Sequence, residues 1–171
     1  MENWNTGDIL LFATHNNNVC HKILPCISSI NYNRVVMVIK DPYFNSLLKG
    51  IYVWDFTSNK LNLIPINQIL KDSRNNLIYH RKLICFTSFF SNHKLIQLEK
   101  DIQNIFLKDI SENNPSDISS SLVGFIYINS GIIENNNKLY KLKPQDFTIK
   151  SDNTFTYINN YWLAKTETLL E

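Results

Sequence analysis

The stretch Arg34-Val35-Val36-Met37-Val38-Ile39 constrains the fold more than any other part of the chain. It is mostly β-branched and apolar, and such side chains fit a pleated, buried surface, so it predicts a central strand over residues 34–39. Further strands are expected at 8–12, after a turn at Gly7, at 50–56, at 61–65 and, as one long strand, at 77–86. The segment 154–164, rich in Thr, Tyr and Trp, predicts a last strand.

Helical spacing appears elsewhere. Apolar residues at 19, 23, 24 and 27 predict a helix over 19–30, with Pro25 as a kink. A short helix is expected at 66–70. Ser91 is placed to cap another, whose apolar positions 95, 98, 102, 105 and 106 form one stripe. Residues 119–130 are apolar almost all round, which predicts a buried helix ended by Gly131. Strands and helices are partly segregated, so the fold class is α+β with a largely antiparallel sheet packed against helices. At 171 residues, without a linker or repeat, residues 1–171 are read as one domain.

Composition narrows the functional classes. Seventeen basic and 15 acidic residues leave a formal net charge of +2, scattered along the chain, so nucleic acid is not an expected partner. No apolar run approaches the roughly 20 residues of a membrane span, and residues 1–5 do not resemble a secretory leader. The expected location is therefore cytoplasmic. Cys20, Cys26 and Cys85 lack zinc-site spacing and are read as buried free thiols, with no metal and no cofactor expected. The 24 Asn residues against 4 Gly include runs at 16–18 and 135–137, which suit loop tips.

The order of elements carries a resemblance. Gly7-Asp8-Ile9-Leu10 is similar to the opening strand of permuted NlpC-type proteins, in the papain-like group that also holds the lecithin:retinol acyltransferases. The strand that opens with His in that family matches Arg34-Val35-Val36-Met37-Val38. Tyr52-Val53-Trp54-Asp55 resembles the next strand, which ends in an acidic or polar residue. A hairpin and short helix resemble the stretch 61–70. The family's helix opening on Cys-Ser-Glu-Leu-Val matches Ser119-Ser120-Ser121-Leu122-Val123, followed by Tyr127 and Gly131, and Pro144-Gln145-Asp146-Phe147 resembles a later motif. The resemblance spans residues 6 to 148 and implies a circularly permuted papain-like fold. Large DNA viruses encode members of the family, and a viral origin would place the chain in host cytoplasm or the virion.

The family's chemistry rests on a thiol at a helix N-terminus, a histidine base on a neighbouring strand, and a polar group that orients the histidine. The resemblance puts Ser119, Arg34 and Asp55 at those three positions. A serine needs a base, and a guanidinium stays protonated. Ser119 is therefore read as a helix cap or as packing at the helix start, with a nucleophilic role and a serine replacing a natural cysteine as the other readings. Arg34 and Asp55 have two readings: a cross-strand ion pair, or, with Ser119 and Ser120 at the helix start, a site for an anion or amide.

The remaining histidines do not form a dyad in the sequence. His21 and Cys20 are neighbours whose side chains diverge on a helix, His15 and His93 fall in a loop and a helix start, and His80 is expected at a solvent-facing rim. The expected function is a catalytically degenerate papain-like domain that acts as a binding or structural, virion-associated protein. Its partner would be a protein or a small acyl or amide ligand. The alternative is an active amide or ester hydrolase, or an acyltransferase, with a rearranged site using Ser119 or a displaced cysteine.

Overall fold

A computed structural model describes residues 3–15, 30–42, 48–57, 60–72, 77–85, 90–113, 117–136, 139–151 and 154–170. Its strands are β1 (Ile9–His15), β2 (Ile30–Lys40), β3 (Ile51–Thr57), β4 (Lys60–Pro65), β5 (Leu77–Arg81), β6 (Leu83–Cys85), β7 (Tyr161–Leu163) and β8 (Thr168–Leu170). The helices are α1 (Ile66–Asp72), α2 (Asn92–Asp101), α3 (Leu107–Asn113) and α4 (Ile118–Asn129), with a π-helical turn, Ile102–Phe106, joining α2 to α3. Six strands form one sheet in the order β4-β3-β2-β1-β5-β8, and β6 pairs with β7 apart from it. Every paired neighbour is antiparallel. The α+β class and the antiparallel sheet are thus as the sequence predicts. No helix among the described residues is long and apolar enough to cross a membrane.

The unbroken apolar run in β2 follows from a sheet covered on both faces. Successive strand residues point to opposite sides. Val35, Met37 and Ile39 join Leu95, Leu98, Leu122, Val123 and Ile126 of α2 and α4 in the larger core. Val36 and Val38 join Leu10, Phe12, Val53 and the α1 residues Ile66 and Ile69 in a smaller core on the other face. A bulge lies where the β1 pairing shifts from Phe12–Arg34 to Ala13–Tyr32, leaving Asn33 as the extra residue. That extra residue lets both Tyr32 and Val35 face the larger core.

Several predicted elements need correction. The long strand at 77–86 is broken at Lys82 into β5 and β6, which belong to different sheets. Two polar anchors cause the break: the Asp8 carboxylate accepts the Leu83 N–H at 2.9 Å, and Ala164 N–H donates to the Lys82 carbonyl at 2.8 Å. The last strand shrinks to β7, because Asn159 and Asn160 both take positive φ values of 55° and 58° and turn the chain. The short β8 that follows was not expected from the sequence. Ser91 does cap α2, accepting the Lys94 N–H at 3.3 Å. The apolar stripe beyond it is not continuous: the π-turn buries Ile102 and Phe106 but leaves Ile105 47% exposed. The cap of α4 is Asp117, not Ser119. Gly131 ends that helix as expected, at φ +68°. The predicted helix at 19–30 lies outside the described residues, apart from Ile30, which opens β2.

Candidate functional site

The β2 and β3 strands carry the two charged residues singled out by the sequence. Their ladder starts at Met37–Trp54 and runs to Lys40–Ile51. Continued in the other direction, this register sets Arg34 against Thr57, so Asp55 stands diagonally across rather than directly opposite. An arginine spans that offset readily. Arg34 Nε donates to Asp55 Oδ1 at 3.2 Å, and Nη2 donates to Oδ2. The carboxylate is fully buried and the guanidinium side chain is 33% exposed. The Arg34 guanidinium carbon also lies 4.9 Å from the centre of the Phe12 ring, its cross-strand neighbour. Both carboxylate oxygens of Asp55 are therefore committed to one cation.

Ser119 and Ser120 lie in the first turn of α4. The Asp117 side chain caps this helix, with Oδ1 accepting the Ser120 N–H at 2.8 Å. The same oxygen accepts the Ser119 hydroxyl at 2.7 Å, and Ser119 Oγ accepts the Val35 N–H at 3.3 Å. The hydroxyl thus bridges the helix start to the strand residue beside Arg34. Ser120 is fully buried, and its hydroxyl has no hydrogen-bond partner among the described residues.

Strand alternation separates the two halves of this arrangement. Arg34 shares a face with Phe12 and Val36, and Asp55 shares one with Val53, all on the smaller-core side. Helix α4 packs on the other side. The structure brings Arg34 to Asp55 and Ser119 to Val35, but no hydrogen bond joins Ser119 to either charged side chain.

His80 corrects the expectation of a solvent-facing rim residue. It is buried, and its Nε2 donates to Asp8 Oδ2 at 2.9 Å, while the Trp4 ring lies 4.3 Å away. Asp8, also buried, accepts in addition the Asn5 N–H at 3.0 Å and the Leu83 N–H at 2.9 Å. The pair ties the segment before β1 to the junction of β5 and β6. Arg81, buried on the next position, donates to the carbonyls of Ala164 and Phe147 at 2.7 and 2.8 Å.

Among the described residues no thiol and imidazole form a dyad. Cys85 is exposed at the end of β6, against the expectation of a buried thiol. His93 is exposed in the first turn of α2. Cys20, His21 and Cys26 lie outside the described residues, as does the side chain of His15. Among the described residues no three His, Cys, Asp or Glu side chains are grouped to hold a metal ion.

Sequence reasoning missed Asp117 and Asp8. Asp117 immediately precedes the apolar stretch of α4, which is the ordinary position of a cap. Asp8 sits between the Gly7 turn and a strand whose first five residues are apolar, where a carboxylate has to find backbone donors. No family model, curated protein or solved structure matches the chain.

Proposed function

We propose that this chain is a circularly permuted papain-like domain that has lost turnover and acts as a binding or structural protein. The observation that carries the reading is the Arg34–Asp55 pair. The position matched to the catalytic base holds a guanidinium, which cannot accept a proton, and the carboxylate matched to the orienting group is fully occupied by it. The order of elements supports the fold: a Gly-Asp strand, the strands bearing Arg34 and Asp55, a hairpin with a short helix, and a later helix whose first turn touches Val35, on the opposite face of the sheet from Arg34 and Asp55.

The arrangement of Ser119 supports loss of chemistry as well. A nucleophile needs a hydroxyl proton handed to a base of suitable strength. Here the proton is held by Asp117, a carboxylate that is a weak base toward an alcohol. The same carboxylate caps the helix, and so places negative charge where an oxyanion would need stabilising. The partner of such a domain would be a protein or a small acyl or amide ligand.

The rival reading, a serine hydrolase, would have to use Asp117 as its base through the same 2.7 Å contact. Hydrolysis assays on peptide, amide and acyl-ester substrates separate the two. No turnover above a buffer control is expected. Turnover by the wild type that disappears in Ser119→Ala would overturn the proposal.

A further inference from the structure

A cleft of about 410 Å³ opens between α3, α4 and the turn at Leu139–Lys141, away from the Arg34–Asp55 pair. Phe125, Ile128 and Leu139 provide an apolar lining, and Asp109, Asn129, Asn135 and Tyr140 provide the polar part. This volume and this mixture of an apolar body with a few polar groups suit a small organic ligand.

The walls are fixed by specific contacts. Gly124 allows the Leu139 turn to approach α4 closely: a Cβ there would stand 2.3 Å from Leu142 Cδ1 and 3.0 Å from Leu139 Cδ1. Ser121 Oγ donates to the Leu139 carbonyl at 3.1 Å. Opposite, the π-turn buries Phe106 against Phe125, ring centres 5.1 Å apart, and so fixes the start of α3. Asp109 follows one turn later, and its Oδ2 accepts the Tyr140 hydroxyl at 2.8 Å. Single π-turns within α-helices are frequent at functional sites.

The chemistry of the cleft is that of a cation receptor. Asp109 is half-buried, and among the described residues no Lys, Arg or His side chain forms an ion pair with it. Tyr140 donates its hydroxyl to one carboxylate oxygen and lines the cleft with it, and Glu112 adds negative charge nearby. A carboxylate with no cationic partner, lining a cleft together with a tyrosine, favours an ammonium group. The neighbouring apolar lining favours an aromatic or aliphatic substituent on it.

We propose that this cleft binds a small organic ammonium ion carried on an apolar group. The site is independent of the reading of Arg34, Asp55 and Ser119. The test is saturation-transfer-difference NMR on the full chain with phenethylammonium chloride. The neutral 2-phenylethanol and the anionic 3-phenylpropionate serve as matched probes. Saturable binding of the ammonium is expected, at least tenfold tighter than the neutral probe, with none for the anion. Asp109→Asn keeps the shape and a partner for Tyr140, and it should weaken binding tenfold or more. Asn129→Lys, at an exposed position, should do the same by placing a cation at the cleft, and guards against misfolding of the first variant. The proposal is overturned if the wild type shows no saturable binding, if the three probes bind alike, or if a folded variant binds the ammonium undiminished.

Discussion

Arg34 holds Asp55 at two points, diagonally across adjacent strands, with the carboxylate fully buried and the guanidinium partly open to solvent. The asymmetry decides what each residue does for the fold. Asp55 has no access to water and depends on its partner, whereas Arg34 can turn its open edge to solvent.

Removing the cation should therefore cost more than removing the charge of the anion. Arg34→Met leaves a buried carboxylate without compensation, and truncating one side of such a pair costs about 3–5 kcal/mol in general. Asp55→Asn keeps a hydrogen-bond acceptor and leaves a guanidinium that water can reach, so its cost should be smaller, about 1–2 kcal/mol. Urea unfolding of both variants measures the order. Equal costs, or a larger cost for Asp55→Asn, would show that Arg34 is not the group that makes Asp55 tolerable inside.

The Asp8 carboxylate should hold together the junction between β5 and β6. Asp8→Ala strands the buried Leu83 N–H, a loss of about 1–3 kcal/mol for an unsatisfied donor. It also removes the acceptor for His80 and for the Asn5 N–H. Amide hydrogen exchange at Leu83 should accelerate well beyond what global destabilisation explains. Exchange there that keeps pace with the rest of the sheet would mean that the β6–β7 ladder alone secures the junction.

Much of the strand framework can be read from the sequence, and the reasons for the misses are physical. The run Val35–Ile39 is apolar throughout because both faces of β2 are covered. The same double cover defeats the reading of His80: in a sheet buried on both sides, alternation does not separate interior from solvent. The sequence also brings Arg34 and Ser119 to neighbouring places without revealing that they serve opposite faces. That depends on the pleat at Arg34 and on which side α4 packs, and neither is a local property. The break at Lys82 is invisible locally as well, since Asp8 and Ala164 make it from distant parts of the chain.

The Tyr140–Asp109 bond has a pH signature. Burial, together with the bond and charge of Asp109, pushes the Tyr140 hydroxyl up to about 12 from an ordinary value of 10.0. A raised phenol favours the neutral form in the folded state. Its contribution to stability is present below pH 10.0 and is lost as pH rises toward 12. Ultraviolet titration of the tyrosines, with Tyr140→Phe as the difference, should show this group ionising late. Asp109→Asn should bring it back toward the ordinary value. A Tyr140 that titrates like a free tyrosine in the wild type would mean that the bond does not persist in solution.

The proposed lack of an activated serine nucleophile is tested most directly by covalent labelling. Folded wild-type protein is treated with a fluorophosphonate, which captures serines activated by a neighbouring base, and is read by intact mass. The Ser119 hydroxyl donates to Asp117 and accepts from Val35, with no imidazole beside it among the described residues, so no adduct is expected over hours at neutral pH. A single stoichiometric adduct on the wild type that is missing from Ser119→Ala would contradict a site without turnover, and would make Ser119 and Asp117 the core of an active hydrolase.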